Sequence, residues 1–103
     1  MDSNNKKVAD KLSSWLAENI KGIVSNPSDV QVVVSQDEMG LLFIVQVHES
    51  DIGVVIGKGG KHAQALRILL GCAGILNDVR AALKISAPGS QFNLSQDRES
   101  KEK

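Results

Sequence analysis

The sequence has 103 residues, of which 42% are hydrophobic, 12 are Lys or Arg and 12 are Asp or Glu, for a formal net charge of zero. That length allows one domain with one modest core, and the balanced charge counts against a protein that holds nucleic acid by bulk charge alone. With Cys72 as the only cysteine, no signal-peptide core and no apolar run of membrane-spanning length, the expectation is a soluble cytoplasmic protein from a reducing compartment.

Met1–Lys7 is polar and expected to be flexible, with Ser3 or Asn5 available as a helix N-cap. Val8, Leu12, Trp15, Leu16, Ile20, Ile23 and Val24 then recur at three- and four-residue steps. That spacing predicts one amphipathic helix with a single buried face, Trp15 included. Ser25-Asn26-Pro27 is expected to end it, because the residue before proline avoids helical dihedrals. Val30–Val34 reads as a strand by its β-branched content. Gln36–Gly40 reads as a turn, and Leu41–His48 as a second strand pairing antiparallel with the first. In that strand Phe43, Val45 and Val47 are expected to meet the helices. Leu42 and Ile44 are left on the open face as a candidate contact surface.

Ile52–Leu70, IGVVIGKGGKHAQALRILL, carries the strongest local signal. Asp51 is expected to cap a short helix over Ile52–Ile56, and Gly57 to stop it. From Lys61 the period is again helical, with Ala63, Leu66, Leu69, Leu70 and Ala73 on one side. Cys72, among Leu70, Ala73 and Ile75, is expected to be buried. Gly71 and Gly74 lower helix propensity and either allow close packing or bend the helix as it ends near Ile75–Asn77. Arg80–Ala87 reads as a third strand with Leu83 and Ile85 inward. Ser90–Lys103 is polar, so residues 88–103 are expected to form a disordered tail.

The turn Gly57-Lys58-Gly59-Gly60 therefore lies between two helices. Free N–H groups at the start of the second helix, three glycines that permit close approach, and bordering Lys58, Lys61 and His62 together suit a phosphate. No Asp or Glu occurs between Asp51 and Asp78. Residues 1–50 carry four Lys and seven acidic residues, whereas residues 51–103 carry eight basic and five acidic ones, so the turn lies in the half with charge +3. A Walker A loop does not fit: Gly53 to Gly57 is one residue too short, and Gly59 stands where Ser or Thr is required. A dinucleotide fingerprint does not fit either, since position 62 is His and a helix precedes the turn. What fits is the G-x-x-G loop of a KH domain, which clamps the backbone of about four nucleotides.

The expected fold is α+β, in the order α-β-β-α-α-β, with a three-stranded sheet and three helices packed on one face over residues 8–87. Asn26-Pro27, Ser50-Asp51-Ile52-Gly53 and Val55-Ile56-Gly57-Lys58-Gly59-Gly60-Lys61 carry a resemblance to the small bacterial single-KH-domain RNA-binding proteins of the KhpA type, in the type II arrangement. The resemblance implies single-stranded RNA binding and an RNA-chaperone or post-transcriptional role. It also implies pairing with itself or with a larger KH-containing RNA-binding protein, and links to cell-wall growth and cell length.

On the residues themselves, Lys58 and Lys61 are the candidate phosphate contacts and Gly57, Gly59 and Gly60 the surface that admits the backbone. Gly53 and Ile56, with the adjacent strand edge, are the candidate lining of an aliphatic groove for bases. His62 is either a further phosphate contact or simply exposed. There is no Tyr, and only Trp15, Phe43 and Phe92 are aromatic, which disfavours recognition by base stacking on a sheet. His48 and His62 have no Cys or acidic partner at metal-ligand spacing, and no nucleophile–base pair can be drawn. The expectation is a non-enzyme without metal or cofactor. The alternatives are a KH-fold protein–protein adaptor and a single-stranded DNA binder.

Overall fold

The computed structural model describes residues 3–87. The first helix, α1 (Ser3–Lys21), buries Val8, Ala9, Leu12, Leu16 and Ile20 along one stripe. It begins at Ser3, so residues 3–7 are helical ahead of that stripe. It ends before the predicted stop at Pro27. Gly22 follows Lys21, and the Gly22 and Ile23 amides bond three residues back, to Asn19 and Ile20. This tightens the last turn and stops the helix. Ile23 is consequently 43% exposed rather than part of the stripe. Trp15 packs against the core but is only partly buried.

Strands β1 (Gln31–Asp37) and β2 (Gly40–Gln46) pair antiparallel, with Asp37 opposite Gly40. The turn is therefore two residues, Glu38 and Met39, shorter than the predicted Gln36–Gly40. The Asp37 carboxylate accepts the Met39 N–H at 2.8 Å, a local bond that favours the turn. Gly40 has φ 131°, and a Cβ there would lie 2.3 Å from the Arg80 carbonyl oxygen. Only glycine lets the hairpin close against the third strand.

After β2 come α2 (Ile52–Ile56), α3 (Lys61–Leu76) and β3 (Ala81–Ser86). β3 lies beside β2 and parallel to it, so the sheet order is β1-β2-β3. Parallel neighbours need a crossover, and α2 and α3 supply it. Phe43, Val45, Val47, Val55, Leu70 and Ile85 are fully buried together between sheet and helices. This is the expected α+β layer, with the strand faces assigned as predicted. Gly74 packs tightly on the start of β3: a Cβ there would lie 2.8 Å from the Val79 carbonyl oxygen and 3.0 Å from Ala81 Cβ. Gly71 faces open space.

Two expectations for α3 are overturned. Leu69 is 54% exposed, and Cys72 is exposed. The buried side of α3 is Ala63, Leu70 and Gly74, with Leu66 and Ala73 partly buried. Ile68, Leu69, Ile75 and Leu76 instead form an exposed apolar stripe with Cys72. No helix among the described residues is long and apolar enough to cross a membrane. The polar tail expected over residues 88–103 lies outside the described residues.

Candidate nucleic-acid interface

A five-residue helix has too few hydrogen bonds to hold itself in water, so α2 depends on what grips its ends. At its start stands Asp51. The expected N-cap bond is absent, and Asp51 has helical dihedrals. Its side chain turns instead into the interior, where the residue is 3% exposed. There the carboxylate accepts the Ser25 N–H at 3.1 Å, the Asn26 N–H at 3.0 Å and the Asn26 side-chain amide at 3.1 Å. Asp51 therefore ties α2 to the segment that follows α1. Burial raises its pKa, but the Ser25 N–H, the Asn26 side chain and N–H, and nearby His48 more than offset this, so the carboxyl titrates below its ordinary range.

A carboxyl held below its unfolded value stabilises the fold fully above that value and stops doing so as pH falls through the folded one. Asp51→Asn should therefore lower the melting temperature at neutral pH. The gap to the parent should persist down to about pH 4, near the unfolded Asp value, and then close. Parallel melts from pH 7 to pH 2.5 check this; a gap independent of pH would show that the charge of Asp51 contributes nothing.

At the other end of α2, Gly57 has φ 81° and ψ 165°, a region essentially restricted to glycine and costing other residues about 1–3 kcal/mol. Its amide still closes the last bond of α2, to Gly53 at 2.9 Å. Lys58–Gly60 then makes one 3-10 turn, with the Gly60 N–H bonded to the Gly57 carbonyl at 2.9 Å. Gly59 (φ 65°) and Gly60 (φ 77°) are both left-handed. A Cβ at either would meet nothing within 4 Å, so the outer surface of the turn is open to an approaching chain.

Lys58 and Lys61 are exposed beside it, and neither has an ion-pair partner among the described residues. Gly53 is exposed and Ile56 half-buried on the neighbouring turn of α2. The structure thus places the eight sequence-derived residues around one turn. His62 differs from the rest: its Nδ1 lies 2.7 Å from the Val54 carbonyl oxygen, a contact that residue type and spacing do not announce. Among the described residues no group of three His, Cys, Asp or Glu side chains comes together as a metal site.

The hairpin-facing bonds of β3 fix its other edge. Leu41 N–H bonds to the Arg80 carbonyl at 2.8 Å and Val47 N–H to the Ser86 carbonyl at 3.1 Å. By strand alternation the backbone groups of Leu83 and Ile85 point away from β2, along an edge that pairs with no other strand among the described residues.

A G-x-x-G turn between two helices, inside the crossover that joins neighbouring parallel strands of a three-stranded sheet, defines a KH domain. Comparison with known proteins agrees: the KhpA/KhpB KH-domain family matches residues 14–85. The RNA-binding protein KhpA of Streptomyces coelicolor is 44% identical over 63 residues, covering 61% of this chain and 80% of its own length. The protein of the same name from Mycobacterium bovis is 46% identical over 63 residues, covering 58% and 79%. That from Chlamydia pneumoniae is 34% identical over 74 residues, covering 72% and 95%. The chain belongs to the KhpA/KhpB KH-domain family.

Proposed function

We propose that this protein binds single-stranded RNA by its backbone at Gly57–Gly60, without chemistry, and acts in the cytoplasm as an RNA chaperone or post-transcriptional regulator. The observation that carries the reading is the open turn itself: two left-handed glycines with empty space outside them, flanked by Lys58 and Lys61, which have no ion-pair partner among the described residues. Lys58 and Lys61 meet phosphates, and Gly57, Gly59 and Gly60 admit the sugar-phosphate chain. Gly53 and Ile56 face the bases across a shallow aliphatic groove, and the backbone groups of Leu83 and Ile85 offer hydrogen bonds to base edges. Family membership and the names of the relatives support RNA over the adaptor reading; a role in cell-wall growth or cell length would follow from RNA targets.

The test is titration of labelled single-stranded RNA across a salt series, with single-stranded DNA and duplex RNA alongside. Two to four phosphate contacts predict that affinity falls with salt at a slope of about 0.7 per contact on a single strand. A slope near zero, or tighter binding to duplex, would remove the backbone clamp.

One such turn binds weakly, and joining two raises affinity through effective concentration. We propose that two copies associate through the exposed stripe of α3. Leu42 and Ile44 on the open sheet face are half-buried, whereas Ile75 is 76% and Leu76 84% exposed. A patch of this kind is on the order of a few hundred Å² on each copy, and covering it on both approaches the ~1,000 Å² that a specific interface needs. A larger KH-containing protein seated on the same stripe is the other occupant the test distinguishes.

A further inference from the structure

We infer that His62 is a positioning residue for the RNA-binding turn, acting through Nδ1. The last carbonyls of any helix lack partners within it. In α2 the Gly53 carbonyl is satisfied by Gly57 N–H. The next carbonyl, of Val54, would take the amide of residue 58 if the helix continued, but Gly57 turns the chain away at φ 81°. His62 takes that place: Nδ1 sits 2.7 Å from Val54 O. A carbonyl oxygen only accepts, so Nδ1 carries the proton. The bond to Val54 thus uses Nδ1 and leaves Nε2 as the other ring nitrogen.

A second observation joins the same ring to the turn. A Cβ on Gly57 would lie 2.6 Å from His62 Cγ and 2.8 Å from the His62 amide nitrogen. The imidazole is thus packed directly on the Gly57 α-carbon. One side chain from the first turn of α3 both completes the end of α2 and sets the glycine between them. It reaches back over the whole Gly57–Gly60 turn and fixes the angle at which Lys58 and the open glycines are presented. Asp51 anchors the start of α2 from the α1 side, so His62 is the constraint on the side that faces RNA.

This inference rests on the RNA-clamp reading, and its test separates the two. Asn places a donor where His carries Nδ1, whereas Gln places one where His carries Nε2. The full chain is compared with His62→Ala, His62→Asn and His62→Gln, after circular dichroism has shown each to be folded. Two quantities are read: amide hydrogen exchange of Gly57–Lys61 without RNA, and affinity for labelled single-stranded RNA. His62→Ala should speed exchange in the turn and weaken RNA binding by about two- to ten-fold, the range of one ordinary hydrogen bond. His62→Asn should restore both and His62→Gln neither. Restoration by Gln but not Asn would make His62 a direct RNA contact and overturn the inference. Failure of Asn to restore protection of the turn, or no effect of His62→Ala on exchange, would overturn it too. Because exchange is read without RNA, a protein that fails to bind RNA at all would sink the clamp reading while leaving the role of His62 in the turn measurable.

Discussion

Replacing Lys58 and Gly59 together with Asp is expected to weaken binding of single-stranded RNA by ten-fold or more at low salt while leaving the fold intact. The change replaces one cation by an anion and adds a second anion, where the proposed contact places phosphates. At about 4 Å, like charges repel by ~1 kcal/mol even in water and by more near a protein surface. The Gly59 substitution also puts a side chain in the space left open for the approaching backbone. Both effects act in one direction. The fold should survive because Lys58 is exposed, a Cβ at Gly59 meets nothing, and Asp is one of the few residues that tolerates left-handed backbone. Titration of labelled RNA, with circular dichroism on the same samples, checks the result. If the folded double variant binds as well as the parent, the turn is not the site.

The second large effect is on association. The parent chain should be dimeric at tens of micromolar, and Ile75→Glu with Leu76→Glu should make it monomeric. Both side chains are mostly exposed in the single chain, so the fold loses almost nothing by the exchange. Across a paired interface the same change buries carboxylates without partners, which is strongly unfavourable. Light scattering on both proteins reads the outcome. RNA affinity measured beside it should fall in the monomer, since the gain from holding two turns together disappears. A parent chain that is monomeric at these concentrations, with no KH-containing partner recovered on the α3 stripe, would leave that stripe without the role proposed for it.

The residues differ in how openly they announced these roles. Backbone-driven features were legible: α2 runs from Ile52 to Ile56 and breaks at Gly57 as the glycine and the apolar run imply, and alternation along β2 and into the residue after it assigns Phe43, Val45 and Val47 to the core. Features set by distant partners were not. Asp51 has the side chain of a local cap, yet it bonds to Ser25 and Asn26, some 25 residues away; no local rule prefers those donors over its own helix. Along α3 apolar residues occupy more than one side, so neither the period, which puts Leu69 on the buried face, nor the apolar neighbours of Cys72 single that face out, and both residues are exposed. The His62–Val54 bond was hidden for a related reason. It exists because a glycine break strands a carbonyl, and a histidine eight residues on returns to it.

The parallel pairing of β2 and β3 also bears on when, during folding, the turn becomes competent. The β1–β2 hairpin closes through two residues, so its pairing is local in sequence. The crossover must span α2, the turn and α3 before β3 can dock, and closing so long a loop has to precede the contacts that repay it. α2 is too short to persist without those contacts. Gly74 against Ala81, and Arg80 over Gly40, are made only once β3 is in place. A fragment holding the I-G-K-G-G segment alone therefore carries the motif without the geometry, and a chain emerging from synthesis completes the surroundings of the turn only once β3 has been made.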